Sequence, residues 1–171
     1  NRAKIPGNLR LCRLSCAPMS VTFEIEHRIE ISPAEYIRAI HLDREFNVWL
    51  HEEKLGVGYR EIENDTEEGT RKIEMLPSPD LPDVLRKAIG ENFKMIEDGA
   101  LEGETYRFII HPSRFADRIQ VKGEMTLRPA EGGACIRHVA VTVDAKVLGI
   151  RGVIEKAIEK NVKKSLTESA E

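Results

Sequence analysis

The sequence predicts an α+β domain in which a curved antiparallel sheet is closed by one C-terminal helix. Three observations predict it. From Ile119 the apolar positions alternate as Ile119, Val121, Gly123, Met125 and Leu127, with Gln120, Lys122, Glu124, Thr126 and Arg128 between them. After a Gly132-Gly133 turn, Val139, Val141, Val143, Ala145 and Val147 repeat the pattern. A period of two gives a strand one packed face and one wet face. Then Ile150, Val153, Ile154, Ala157, Ile158, Val162 and Leu166 recur at helical spacing. That stripe needs an apolar surface, and the concave side of the sheet is the large one on offer.

The preceding elements follow in order. The first strand sets Val21, Phe23, Ile25, His27, Ile29 and Ile31 against Thr22, Glu24, Glu26, Arg28 and Glu30. Ser32-Pro33 reads as N-cap and first helical position, and Glu35 completes a capping box. That helix reaches about Ile40. Asp43 caps a second one, with Phe46, Trp49 and Leu50 as its apolar side. Strands are expected over 57–63 and 70–76, with Asn64 to Gly69 as their turn. Pro77 to Pro82 breaks the ladder, because proline has no N–H to donate. A short helix covers Asp83 to Ile89 and stops at Gly90. Strands over 93–101 and 104–111 form the next hairpin, ended by His111-Pro112. The expected architecture is thus a seven-stranded sheet around a long terminal helix. Two short helices follow the first strand, and a helical insert precedes the middle strands.

Composition bounds the rest. The 171 residues carry 41% hydrophobic and 32% charged side chains, as in an ordinary soluble globule, with a core of Ile, Leu and Val because aromatics are only 5%. One domain is expected over residues 19–171, preceded by a basic leader over 1–18 that is expected to be disordered. The leader holds Arg2, Lys4, Arg10 and Arg13 and no acid, which suits either an added segment before Met19 or the end of an organelle transit peptide. The net charge of −3 argues against a nucleic-acid partner. Cys12, Cys16 and Cys135 build no disulfide framework, which favours the cytoplasm, with an organelle as the alternative.

This element order resembles the START-like (helix-grip, SRPBCC-type) superfamily, and the resemblance covers Met19 to about Leu166. Leu81-Pro82-Asp83-Val84-Leu85-Arg86-Lys87-Ala88-Ile89-Gly90 resembles the proline-led short helix of a bacterial START-like family of unassigned function. The run Val147 to Ile158, with Gly123-Glu124-Met125-Thr126-Leu127, is similar to that family's junction of strand and final helix. Both stretches are more distantly similar to PRELI-type lipid carriers. The resemblance implies a helix-grip fold and a hydrophobic ligand. It brings no catalytic residue with it.

No metal or cofactor is expected. His41 and His51 are too far apart to share a helical turn, and Cys12-x-x-x-Cys16 lacks a second ligand pair. No nucleophile elbow, phosphate loop or dinucleotide fingerprint is present. Two polar residues share the apolar faces. His27 is either a hydrogen-bonded core histidine or a polar group facing a cavity. Arg137 has the parity of Val139 and is either solvated at the strand end or an inward anchor. Arg107 and Glu97 are weaker candidates, because their neighbours alternate the other way. Lys160, Lys163 and Lys164 complement the helix dipole and allow at most a transient membrane contact.

The reading is a non-catalytic binder or carrier of a hydrophobic small molecule or lipid. Its cavity is expected to be lined by Phe23, Ile25, His27, Ile29, Met125, Arg137, Val139, Val141, Val143, Ile154 and Ile158. Tryptophan at Val141 is expected to block uptake and leave the sheet folded. The alternatives are a cyclase- or aromatase-like enzyme with His27 as general base, and a regulatory or protein-interaction module whose pocket has collapsed. The oligomeric state is left open.

Overall fold

The computed structural model describes residues 20–76, 83–90 and 92–171, with the backbone alone at 84, 85 and 88. The expected leader, Met19, Cys12, Cys16 and the Pro77–Pro82 break lie outside the described residues. The elements run β1 (Val21–Ile29), α1 (Pro33–Ile37), α2 (Arg44–Val48), β2 (Tyr59–Asp65), β3 (Thr70–Met75), α3 (Asp83–Ile89), β4 (Met95–Glu102), β5 (Thr105–Pro112), β6 (Ile119–Pro129), β7 (Cys135–Ala145) and α4 (Arg151–Glu168). The strands form one antiparallel sheet in the order β1-β7-β6-β5-β4-β3-β2. The expected α+β helix-grip architecture is therefore present. Six strands pair with sequence neighbours, and β1 closes the far edge on β7, with Phe23 opposite Val141 and Ile25 opposite Val139.

Local chemistry sets the element ends. Ser32 Oγ accepts from the Glu35 N–H, and a Glu35 carboxylate oxygen accepts from the Ser32 N–H, so the capping box is made. Gly132 and Gly133 take positive φ of 77° and 79° in the β6–β7 turn, a conformation that a Cβ disfavours. β2 starts and ends two residues later than the pattern suggested. Its register with β3 slips between Glu61 and Glu63, and such a bulge hides strand parity.

The two short helices also differ from expectation. Each runs on into a wider turn, Arg38–Leu42 and Trp49–Lys54, closed by five-residue bonds such as Asp43 N–H to Arg38 O. Asn47 occupies the buried side, where its amide donates to the carbonyls of Ala39, Ile40 and Asp43. Trp49 is accordingly turned outward and is 49% exposed. Placing an amide inward satisfies carbonyls that a tryptophan could not.

α4 packs on β7 and β1. Ile158, Val162 and Leu166 meet the core formed by Phe23, Met125, Val139, Val141 and Val143, while Ile154 and Ala157 pack with Ile119, Ala145 and Val147. Val153, expected in the same stripe, is partly exposed. Among the described residues no helix is long and apolar enough to cross a membrane.

Candidate functional site

Phe23, Ile29, Met125, Val139, Val141, Val143 and Ile154 are buried, and Ile25 and Ile158 are half-buried beside them. They sit between the sheet and α4, packed against one another and against that helix.

His27 and Arg137 face each other across β1 and β7. Arg137 is 1% exposed and so is an inward residue, with partners to match. Its Nη1 donates to the Tyr36 hydroxyl at 2.9 Å and to Ser169 Oγ at 3.0 Å. Its Nη2 donates to the Leu166 carbonyl and to His27 Nδ1, the latter at 3.2 Å. The guanidinium thus ties the C-terminal end of α4 to β7 and α1, where a cation also complements the helix dipole. His27 Nε2 lies 3.4 Å from Thr167 Oγ1. Burial, and then the Arg137 charge, hold the His27 pKa below its usual value. With Nδ1 accepting from Arg137 and Nε2 against Thr167, the ring is poorly placed for a general base.

The space toward the other edge of the sheet is different. On its inner face Met95, Gly99, Leu101, Phe108, Ile110 and Gly123 are only half-buried. They occupy adjacent rows, with Gly99 opposite Phe108 and Phe108 opposite Gly123. α4 lies over β7 and β1, α1 touches β6, and α2 meets β2, so the seam, centred on β4 and β5, falls between the helical covers. Two rings floor it. A Cβ on Gly99 would lie 1.8 Å from the Tyr106 hydroxyl, and one on Gly123 would lie 2.0 Å from Phe108 Cζ, so each ring lies across a neighbouring glycine. The rings stack with centroids 5.9 Å apart.

A buried polar cluster borders the seam. Tyr106 donates to Glu97 Oε1 at 2.6 Å. Arg71 donates through Nη1 to the Ile40 carbonyl at 2.6 Å and lies 3.5 Å from Glu97 Oε1 and 3.4 Å from the Tyr106 oxygen through Nη2. The His41 ring lies 4.6 Å from the Tyr106 ring, and His51 stacks on Tyr59 at 4.5 Å. Burial, reinforced by Arg71, pushes the His41 pKa down to about 3. Burial and the Glu97 carboxylate raise that of the Tyr106 phenol.

Sequence reasoning set Glu97 aside on parity and did not single out Arg71 or Tyr106. The signal was present in part, since Arg71 has the parity of Ile73 and Tyr106 that of Phe108 and Ile110. β4 reads Met-Ile-Glu-Asp-Gly-Ala-Leu-Glu, with apolar residues on both parities, and so left Glu97 ambiguous.

The outer face carries an open depression of about 1210 Å³ that touches Lys72, Asp98, Arg107, Ile109, Lys122 and Glu124. Ion pairs cross it, Lys72 to Asp98 at 3.2 Å and Arg107 to Glu124 at 2.8 Å. Among the described residues no three His, Cys, Asp or Glu side chains are grouped to hold a metal. Cys135 is a buried free thiol whose pKa burial raises, consistent with its expected place as core filler.

Residues 24–171 match the family described as "Protein of unknown function (DUF2505)". The chain belongs to the DUF2505 family. No curated protein matches it. Solved structures share the fold at low identity. The crystal structure of Ara h 8.0201 superposes with a TM-score of 0.58 at 16% identity, over 87% of this chain and 94% of that one. Protein CV1439 from Chromobacterium violaceum gives 0.56 at 20% identity, over 87% and 94%. TTHA0849 from Thermus thermophilus gives 0.60 at 13% identity, over 86% and 90%. These likenesses place this DUF2505 chain in the helix-grip fold.

Proposed function

We propose that this DUF2505 protein binds a hydrophobic small molecule without transforming it, with the ligand's apolar part in the seam centred on β4 and β5. One observation carries the reading: a strip of apolar inner-face side chains, floored by rings laid across two glycines, stays only half-buried between the helical covers. Elsewhere on that face Val121, Met125 and Val139 are buried. Water leaving the strip on ligand entry would supply about 25 cal/mol per Å² of apolar area. Phe23, Ile25, Ile29, Met125, Val139, Val141, Val143, Ile154 and Ile158 then form the packed wall behind the seam. His27 and Arg137 hold α4 over that wall and do not touch the ligand. A lipid is one member of the ligand class.

The test uses the fluorescent probe N-phenylnaphthylamine and two tryptophan variants on one strand. Ile110 faces the seam and Ile109 faces outward. Ile110→Trp is expected to weaken probe binding about tenfold or more while the melting temperature stays within a few degrees. Ile109→Trp should bind as wild type does. Equal binding by all three proteins would overturn the seam as the site.

A further inference from the structure

We infer that the polar cluster bordering the seam recognises a neutral hydroxyl or carbonyl group on the ligand and discriminates against a charged one. The inference rests on the proposed binding of a hydrophobic molecule in the seam and says which end of that molecule goes where.

The cluster and the seam share a border. The Tyr106 ring stacks on Phe108, which floors the seam, and lies across Gly99. Glu97 sits opposite Ile110 on the adjacent strand. A ligand lying along Phe108 and Ile110 therefore ends against Tyr106 and Glu97.

Three buried polar atoms in this region have no hydrogen-bond partner among the described residues: His41 Nε2, Arg71 Nε and the Tyr59 hydroxyl. Each belongs to a side chain more than nine-tenths buried. A buried polar atom without a partner is costly, so three in one cluster mark a place where a polar group from outside would be held. Arg71 Nε–H can only donate, the Tyr59 hydroxyl can donate or accept, and the neutral His41 ring can do either through Nε2. A carbonyl oxygen can take the donors. A hydroxyl can take one and give its own proton in return.

Charge decides against ions. Glu97 brings one negative charge and Arg71 one positive, and they lie 3.5 Å apart. Both are buried, with Tyr106 donating to Glu97 and the Ile40 carbonyl accepting from Arg71 Nη1. A carboxylate or phosphate entering here would meet Glu97, and an amine would meet Arg71. Because Arg71 and Glu97 already balance each other, either ion would leave one unbalanced buried charge, which is far costlier than burying a neutral dipole.

The test measures displacement of N-phenylnaphthylamine by decanol, a decanone, decanoate and decylamine at about pH 8, where the acid and the amine are ionised. Their chains match and their ends differ. The alcohol and the ketone are expected to displace the probe at concentrations about tenfold lower than the two ions. Tyr106→Phe keeps the ring over Gly99 and removes the hydroxyl, and Glu97→Gln keeps the shape and removes the charge. In Glu97→Gln the gap to decanoate should narrow to about twofold while the gap to decylamine stays, because Arg71 is left without its counter-charge, and Tyr106→Phe, which keeps both charges, should keep both gaps. All four compounds displacing equally from the wild type, or the ions displacing better, would overturn the inference and leave the hydrophobic site standing. A full gap to decanoate retained by folded Glu97→Gln would overturn it as well. A wild type that does not bind the probe, or from which none of the four displaces it, would overturn the site itself. The wild-type ranking decides the matter even where a variant fails to fold.

Discussion

The ring of Phe108 fills the space that a side chain on Gly123 would need, with Cζ 2.0 Å from the position of a Cβ there. The two residues face each other across β5 and β6. Gly123→Ala is therefore expected to push the ring toward the seam and to cost about 1–3 kcal/mol. Phe108→Ala removes the obstacle. In the double variant the two losses should fall short of their sum by about 1 kcal/mol or more in a urea-denaturation cycle. Strict additivity would mean that the ring and the glycine do not interact.

Val141 bears directly on the cavity expected between the sheet and α4. It is 1% exposed and sits between Phe23 on β1 and Gly123 on β6. It packs in one cluster with Phe23, Met125, Val139 and Val143, which an indole would have to displace. Val141→Trp should cost about 3 kcal/mol or more and broaden or abolish the thermal transition, contrary to the expectation that the sheet would tolerate it. Val141→Ala should cost about 2 kcal/mol. A native-like melt for the tryptophan variant would show hidden room between the sheet and α4.

The architecture was legible because its signals are local. β6, β7 and α4 carry unbroken periods, and the capping box at Ser32 and Glu35 is written in four residues. The direction of Arg137 was legible in parity, since β7 alternates buried and half-buried without a break. Its partners were not, because Tyr36, Leu166 and Ser169 are brought to it only by the docking of α1 and the end of α4. Nor was the polar cluster. Arg71, Glu97 and Tyr106 come from three strands, and His41 lies in a wider helical turn whose phase an ideal period does not follow. Which part of the concave face stays open depends on where the helical covers rest, and side-chain alternation is silent about that.

Arg137 predicts where the fold opens first. Four of its contacts reach α1, β1 and the last turn of α4, so Arg137→Leu should release that turn and leave the sheet largely intact. The expected loss is about 3 kcal/mol, because the Tyr36 hydroxyl and the helix-terminal groups lose a buried donor. Amide hydrogen exchange should accelerate over residues 161–169 far more than in β6 or β7. Uniform acceleration across the chain would show that the clamp has no local role.

Acid should weaken the fold through His41. Its pKa is 6.5 in an ordinary setting and about 3 in the fold, where it lies buried against Tyr106 and is opposed by Arg71. Between those values the unfolded chain takes up a proton that the folded chain refuses, so stability falls as pH falls from 6.5 toward 3. The loss due to this residue should be on the order of 2 kcal/mol by about pH 4.5. His27 and His51, whose pKa values burial also lowers, act in the same direction. Glu35, held down by its bonds to Ser32, and Glu74, held down by Arg60 and Lys94, add their losses only below the ordinary carboxylate value of 4.5. The interval from pH 6.5 to about 4.5 therefore isolates the histidines. His41→Phe keeps a ring against Tyr106 and removes the proton site. In urea titrations across that interval its stability should fall less steeply than that of the wild type. Identical slopes for the two proteins would mean that His41 titrates in the fold as it does in the unfolded chain.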